Sequence, residues 1–242
     1  MAIDFLGINK HFLEKRFTTY INQELREIGA AARQEYLDIM QTLPLHSQNE
    51  RFDLENLKEG PWRKTAIGGT NGLGENISQV MQTTYFSEAD TKYRYISNAA
   101  KKLIKIRNFL SGLPTEFGTN PRSDKFWNAV RIHHYPSGGG HMQKHRDTHF
   151  SIALENQGHT YAQVCMLLSS KSIHFDFGGF NVFDKQNNRH ELEHLDGVGR
   201  IIIFDGRLNH NVEDVDNHKV LDWGSASGRI ALFVSLYEYR AN

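Results

Sequence analysis

The chain has 242 residues, with 28 Lys plus Arg balanced by 28 Asp plus Glu, enough for one domain with a sizeable core. The even charge balance excludes the basic field of a nucleic-acid binder and the acidic tail of a solvating segment. No apolar run near Met1 is long enough for a signal peptide or a membrane span, and the lone Cys165 cannot form an internal disulfide, so a cytoplasmic protein with no membrane partner is expected.

The expected organisation is a single domain over 1–242, with 1–125 mostly helical and 126–242 forming a β core. In LEKRFTTYINQELREIGAAARQEYLDIM, Phe17, Ile21, Leu25 and Ile28 recur at three- and four-residue steps, which predicts one helix with one buried face. A second helix is predicted over about 88–112, with Ser87 and Asp90 as a capping-box-like start. Between them, AIGGTNGLGEN reads as a mobile surface loop. It lacks the Gly-Lys-Ser/Thr ending of a phosphate loop. After Pro121 the texture changes to short β-rich runs separated by turn residues: AVRIHHYP, HMQKHRD, YAQVCMLLSS, GGFNVFD, HELEHL, GRIIIFD, HNVEDV and RIALFVSLYEY. Strands at this spacing argue for a barrel or double-sheet jelly roll. The fold class is therefore α+β with a mainly β core, the N-terminal helices packing on one sheet.

Histidine is the unusual residue, since eleven of thirteen fall between 133 and 218. The words His145-Arg146-Asp147 and Asp176-Phe177-Gly178 resemble a kinase pair. A kinase, however, needs Asn five residues after its Asp, and Ile152 stands there. As strand residues, His145 and Asp147 share a face and can converge on one ion. His141 and His149 share it too, but each lies ~13 Å from His145 along a strand, beyond the reach of metal bonds of ~2 Å. A third ligand must come from another strand. In GRIIIFDGRLNHNVEDV, an apolar strand ends at the turn Asp205-Gly206 and His210 opens the next strand. Two histidines and one carboxylate with open positions suit non-haem Fe(II). Arg229 opens the last strand on the face of Ala231, Phe233 and Ser235, where a guanidinium can take a carboxylate through two parallel hydrogen bonds. The plain alternative for Arg229 is a surface salt bridge.

With these residues, about 126–240 resembles the Fe(II)/2-oxoglutarate-dependent oxygenases, in particular the prolyl-hydroxylase-like branch. Tyr135, the turn Ser137-Gly138-Gly139-Gly140, His145 and Asp147, Gly178-Gly179, His210 and Arg229 follow that family's order, with Tyr135 ten residues before His145. The resemblance implies a double-stranded β-helix in which His145, Asp147 and His210 bind Fe(II). It also implies that 2-oxoglutarate chelates the metal and meets Arg229, with Tyr135 helping to hold it. Together with O₂, this implies hydroxylation of an unactivated C–H bond. Chlorinating relatives lack the metal carboxylate, so Asp147 favours hydroxylation. Gln163 stands near the position where relatives often carry a second co-substrate Tyr and is a candidate substitute. The nineteen residues from His210 to Arg229 exceed the usual interval. The extra segment 216–227, with Trp223, reads as a lid or a surface loop, and the Gly-rich loop 67–76 is a second candidate lid.

Arg131 and His133 share the face of Tyr135 and are candidates to line a substrate pocket, with Gln143 and Trp223 weaker ones. For His133 and His134 the bland reading is a hydrogen-bonded barrel rim. Trp62 and Trp127 read as packing, and His174, His190, His194 and His218 as solvated surface. The substrate expected is a small polar metabolite, such as an amino acid or natural-product intermediate. Two other classes fit the same pattern: a cupin-like metal enzyme that does not use 2-oxoglutarate, and a non-catalytic jelly-roll binding protein.

Overall fold

Each of the eight β-rich runs forms a strand in the computed structural model, which describes residues 3–47, 50, 54, 57, 59–70, 77–88, 92–147, 154–156, 158–159, 161–193 and 196–239. In chain order the elements are α1 (Phe5–Lys15), β1 (Phe17–Tyr20), α2 (Gln23–Met40), β2 (Leu45–His46), β3 (Trp62–Thr70), β4 (Ile77–Phe86), α3 (Arg94–Leu110) and the single-turn α4 (Pro121–Asp124). The β core follows as β5 (Phe126–Pro136), β6 (Gly140–His145), β7 (Ala162–Leu167), β8 (Gly179–Phe183), β9 (Arg189–Glu191), β10 (Ile201–Asp205), β11 (His210–Val215) and β12 (Gly228–Glu238).

The N-terminal half departs from the sequence reading in two places. The expected continuous helix is broken: α1 stops at Arg16 in the left-handed conformation, and Phe17–Tyr20 pairs antiparallel with Ile201–Phe204. The β-branched Thr18 and Thr19 suit a strand, and the edge of β10 offers hydrogen bonds that a helix would leave unused. The chain re-enters helix at Asn22, whose side chain accepts from the Leu25 amide at 2.9 Å, an N-cap bond. The second departure is the Gly-rich segment. Ala66–Thr70 belongs to β3, which forms a hairpin with β4, a strand between β5 and β6 in the part expected to be mostly helical, while 71–76 lies outside the described residues. The capping residue proposed at Asp90 also lies outside them. Helix α3 begins at Arg94, and the amides of Tyr95 and Ile96 are received by the Glu35 carboxylate of α2 at 3.0 and 2.8 Å. The first turn is thus capped from a neighbouring helix, and the acid also complements the helix dipole.

The strands form one curled sheet in the order β1-β10-β7-β12-β5-β4-β6-β11-β8-β9, with β3 on β4. Alternation gives it two buried faces. One carries Val130, Ile132, Val164, Met166, Ile201, Ile203, Ile230, Leu232 and Val234 against α1, α2 and α3. Helix α2 approaches so closely that a Cβ on Gly29 would sit 2.5 Å from the Gly199 Cα. The opposite face encloses the barrel interior, with Tyr135, Cys165, Phe180, Ile202, Phe204, Ala231 and Phe233. No helix among the described residues is long and apolar enough to cross a membrane.

The turn from β5 to β6 is anchored by the amides of Gly138 and Gly139, which donate to the Val215 carbonyl at 3.0 and 2.9 Å. Both glycines have positive φ, 95° and 109°, a region that side chains disfavour. Asp216, fully buried, locks the same corner by accepting from Ser137 Oγ, Lys219 Nζ and the amides of Asp176 and Phe177 at 2.7–2.9 Å. Burial would raise this carboxyl, but those four donors bring it down to about 2. Its stabilising contribution is therefore complete above the ordinary carboxylate pKa of ~3.9 and is lost as pH falls through about 2. Asp216→Asn should lose ~1.5–3 kcal/mol at pH 7, the range for hydrogen bonds to a charged group. In denaturant titrations the gap between variant and wild type should narrow from pH 4 to pH 2. A gap that stays constant with pH would show that the charge contributes nothing.

Candidate metal centre

His145 is the last residue of β6 and His210 the first of β11, and the antiparallel register sets them directly opposite each other. Asp147 lies two residues beyond His145, its amide donating to the Gly206 carbonyl at 2.8 Å. That bond carries the chain past the strand end and turns the carboxylate inward. The three side chains offer ligand atoms that all lie within 4.8 Å of one another. Asp147 Oδ1 is 3.7 Å from His145 Nε2, and Oδ2 is 3.5 Å from His210 Nε2.

Both imidazoles are oriented by their other nitrogen. His145 Nδ1 contacts the Gln143 carbonyl at 2.7 Å, and His210 Nδ1 the Leu208 carbonyl at 2.9 Å. A carbonyl accepts only, so each Nδ1 carries a proton and each Nε2 is turned toward the site, the orientation in which histidines bind metal. Burial, then the neighbouring His210, lowers the His145 pKa to about 4, so its ring is neutral at neutral pH. Burial would raise the Asp147 carboxyl, but His210, His145 and Gln163 hold it below the usual range. Two imidazole Nε2 atoms facing one carboxylate form a donor set that fits a divalent transition metal.

Arg229, at the start of β12, is fully buried opposite Tyr135. Its Nε donates to Glu193 Oε1, while Nη1 and Nη2 have no partner. The guanidinium lies between the rings of Tyr135 and Phe180, 5.4 Å from each centroid. A buried guanidinium held by one edge, with its two terminal nitrogens unsatisfied, fits a carboxylate ligand with two oxygens. His133, between Arg131 and Tyr135 on the interior face, also has an unpartnered Nε2. Burial and the nearby arginines push its pKa well below the ordinary range, leaving a neutral ring.

No family model matches the sequence, and no curated protein is similar to it in sequence. Solved structures are similar in fold. A prolyl-4-hydroxylase from Pseudomonas putida, 12% identical, aligns over 96% of this chain and 97% of its own with a TM-score of 0.57. A prolyl hydroxylase from Trichoplax adhaerens, in complex with a hypoxia inducible factor peptide fragment, is 13% identical over 97% of this chain and 89% of its own, with a TM-score of 0.53. The non-haem α-ketoglutarate-dependent epimerase SnoN from nogalamycin biosynthesis is 9% identical over 97% and 82%, with a TM-score of 0.55. The fold is that of the Fe(II)/2-oxoglutarate oxygenases.

Within this oxygenase fold, the other residues singled out from sequence occupy distinct places. Tyr135 is buried beside Arg229, with its hydroxyl 3.4 Å from His133 Nδ1. Gln163 donates to Asp147 Oδ2 at 2.5 Å and accepts from the Tyr161 hydroxyl, so its amide is engaged with the Asp147 carboxylate. The Gln143 side chain is exposed and receives the Ser78 amide; only its carbonyl reaches the centre, through His145. Trp223 lies away from the interior, its carbonyl accepting from Gln82. The segment 216–227 is tied to α2 by Gln41 Nε2 on the Gly224 carbonyl at 3.0 Å and Arg33 on the Ala226 carbonyl at 3.1 Å. These bonds set it along the helical side. His141 bonds to Ser78 and Gly139, and His149 and His194 lie outside the described residues. His134, on the helix side, contacts the Ser227 carbonyl. Trp62 and Trp127 pack together with Tyr85.

The residue that sequence reasoning missed is Glu193. It sits in HELEHL as one acid among several, and nothing local marks it as the partner of an arginine 36 residues away. The signal is at Gly179, where a Cβ would lie 2.4 Å from the Glu193 Cγ; the glycine vacates the space the acid fills. Glu193→Ala would strand the buried Arg229 charge, so the free protein should lose ~3–5 kcal/mol in denaturant titration. Glu193→Gln, which keeps an acceptor, should lose clearly less. Equal losses would show that the pair's charge is immaterial.

Proposed function

We propose that the protein is an Fe(II)- and 2-oxoglutarate-dependent dioxygenase that hydroxylates an unactivated C–H bond of a small polar metabolite, such as an amino acid or natural-product intermediate. The observation that carries this reading is the pairing of two features on one interior face: three convergent metal donors and a buried guanidinium with an unsatisfied terminal pair. A bound Fe(II) with 2-oxoglutarate and O₂ supplies the oxidising chemistry. His145, Asp147 and His210 would hold the metal, and Arg229 would receive the distal carboxylate of the co-substrate, with Glu193 fixing its Nε edge. Tyr135 flanks that carboxylate site. Gln163, donating to Asp147, would keep the carboxylate's second oxygen from swinging away. The neutral His133 offers a hydrogen bond to whatever lies between metal and arginine.

A cupin-like enzyme without 2-oxoglutarate shares the metal donors but has no use for a buried, half-satisfied guanidinium, and a vestigial binding fold has no reason to keep the Nδ1 anchors. Anaerobic addition of Fe(II) and 2-oxoglutarate should produce the visible charge-transfer band of a keto acid chelated to ferrous iron, and air should then yield succinate. Asp147→Ala should lower iron affinity by more than the ~10–100-fold typical of disturbing a group behind the ligands. Arg229→Gln should keep iron binding and weaken 2-oxoglutarate. Wild-type iron affinity in the Asp147 variant would overturn the ligand assignment, and wild-type 2-oxoglutarate affinity in the Arg229 variant would favour the cupin-like reading.

A further inference from the structure

We propose that Arg131 is the recognition group for a carboxylate on the substrate, so that the substrate is a small carboxylic acid bound on the opposite flank of the centre from Arg229. The proposal rests on the oxygenase reading and extends it to the substrate class. Arg131 is on the interior face of β5, across from Phe233, while Tyr135 is across from Arg229. The two arginines are thus offset by four residues, ~13 Å along the sheet. Arg131 is joined to the metal donors by a short chain of hydrogen bonds. Its Nη2 donates to Ser235 Oγ at 2.9 Å, that hydroxyl lies 3.5 Å from Gln163 Oε1, and Gln163 Nε2 donates to Asp147.

The electrostatic balance around Arg131 is incomplete. It donates to two neutral hydroxyls, Ser235 Oγ and Tyr237 Oη, and its Nε is shielded from water with no partner. Among the described residues no carboxylate forms an ion pair with it. The interior acids make their direct contacts elsewhere, Asp147 with the histidines and Glu193 with Arg229, and Asp147 favours the Arg131 charge only from a distance. Lys64, whose strand position pairs with Thr83 and through it with His133, adds a second cation, its charge disfavoured by burial and then by the nearby Arg131. The buried arginines of the opposite face differ. Arg63 and Arg107, on the helix side, are taken up by carbonyl and amide oxygens. Arg131 remains partly accessible, so a ligand can reach it. The rings of Phe233 and Tyr237, 5.7 and 5.6 Å from its guanidinium carbon, hold the plane in place, which leaves the edges for a planar anion. A positive pair with an unused donor beside an oxidising centre is matched by a substrate carboxylate.

The test uses full-length protein loaded with Mn(II), which does not turn over, and 2-oxoglutarate. Small amino, hydroxy and unsubstituted carboxylic acids, their carboxamides and inorganic phosphate are titrated calorimetrically. At least one acid should bind, its carboxamide should bind on the order of 100-fold more weakly, and Arg131→Gln should lose the same factor while taking up Mn(II) and 2-oxoglutarate as the wild type does. Arg131→Lys, which keeps the charge but not the planar fork, should fall between, and it decides the matter if the Gln variant does not fold. The proposal is overturned if no acid binds, if acid and carboxamide bind alike, if phosphate outcompetes every acid, or if the variants bind the acid as the wild type does. Failure of the wild type to take up Mn(II) and 2-oxoglutarate would instead strike the oxygenase reading. The same acid titration on metal-free protein would then still judge Arg131.

Discussion

The antiparallel pairing of β6 with β11 is the constraint on which the site depends. It sets His145 directly opposite His210, and a one-residue slip would turn one imidazole out of the barrel. The register is guarded at both ends. At one end the Gly138 and Gly139 amides grip the Val215 carbonyl, and at the other the Asp147 amide grips Gly206. Between them the two rings pack at a centroid distance of 4.2 Å, with Phe204 behind His210 at 4.8 Å. Apolar packing and backbone hydrogen bonds thus aim the Nε2 atoms at one point, the preorganisation a metal centre would need.

The charged groups buried in and around the barrel differ in how fully they are compensated. Asp205 is saturated by Arg16 and Arg207, and Asp216 by four donors; both hold turns. Arg229 is half satisfied, because Glu193 takes one edge and leaves the other. An uncompensated buried polar group costs free energy, and the two unmet terminal nitrogens of Arg229 are where the proposed co-substrate carboxylate would offset that cost. Glu193 makes this tolerable in the free protein: it balances the charge and leaves the fork open.

The β core was legible because strand alternation and turn residues are local signals, and the residues His145, Asp147, His210 and Arg229 could be ordered along it. The N-terminal half was less so. Phe17, Ile21, Leu25 and Ile28 have helical spacing, but only Leu25 and Ile28 are in a helix; the distant edge of β10 claims Phe17 for a strand. Ala66–Thr70, with its glycines, reads as loop, yet β4 supplies the pairing that makes it β3. Gln163 could be placed on the correct face from alternation, while its engagement with Asp147 depends on how the chain turns after His145. Glu193 was invisible for the same reason: its role is defined by a partner across the barrel. Long-range pairing decided each of these, and no window of sequence contains it.

The most direct test is a crystal structure of the full-length protein grown anaerobically with Fe(II) and 2-oxoglutarate, with anomalous data at the iron edge. The account predicts a single iron peak bonded to His145 Nε2, His210 Nε2 and an Asp147 oxygen, with the far carboxylate of 2-oxoglutarate on the terminal nitrogens of Arg229. Iron bound elsewhere, or a co-substrate carboxylate that leaves Arg229 unmet, would contradict it.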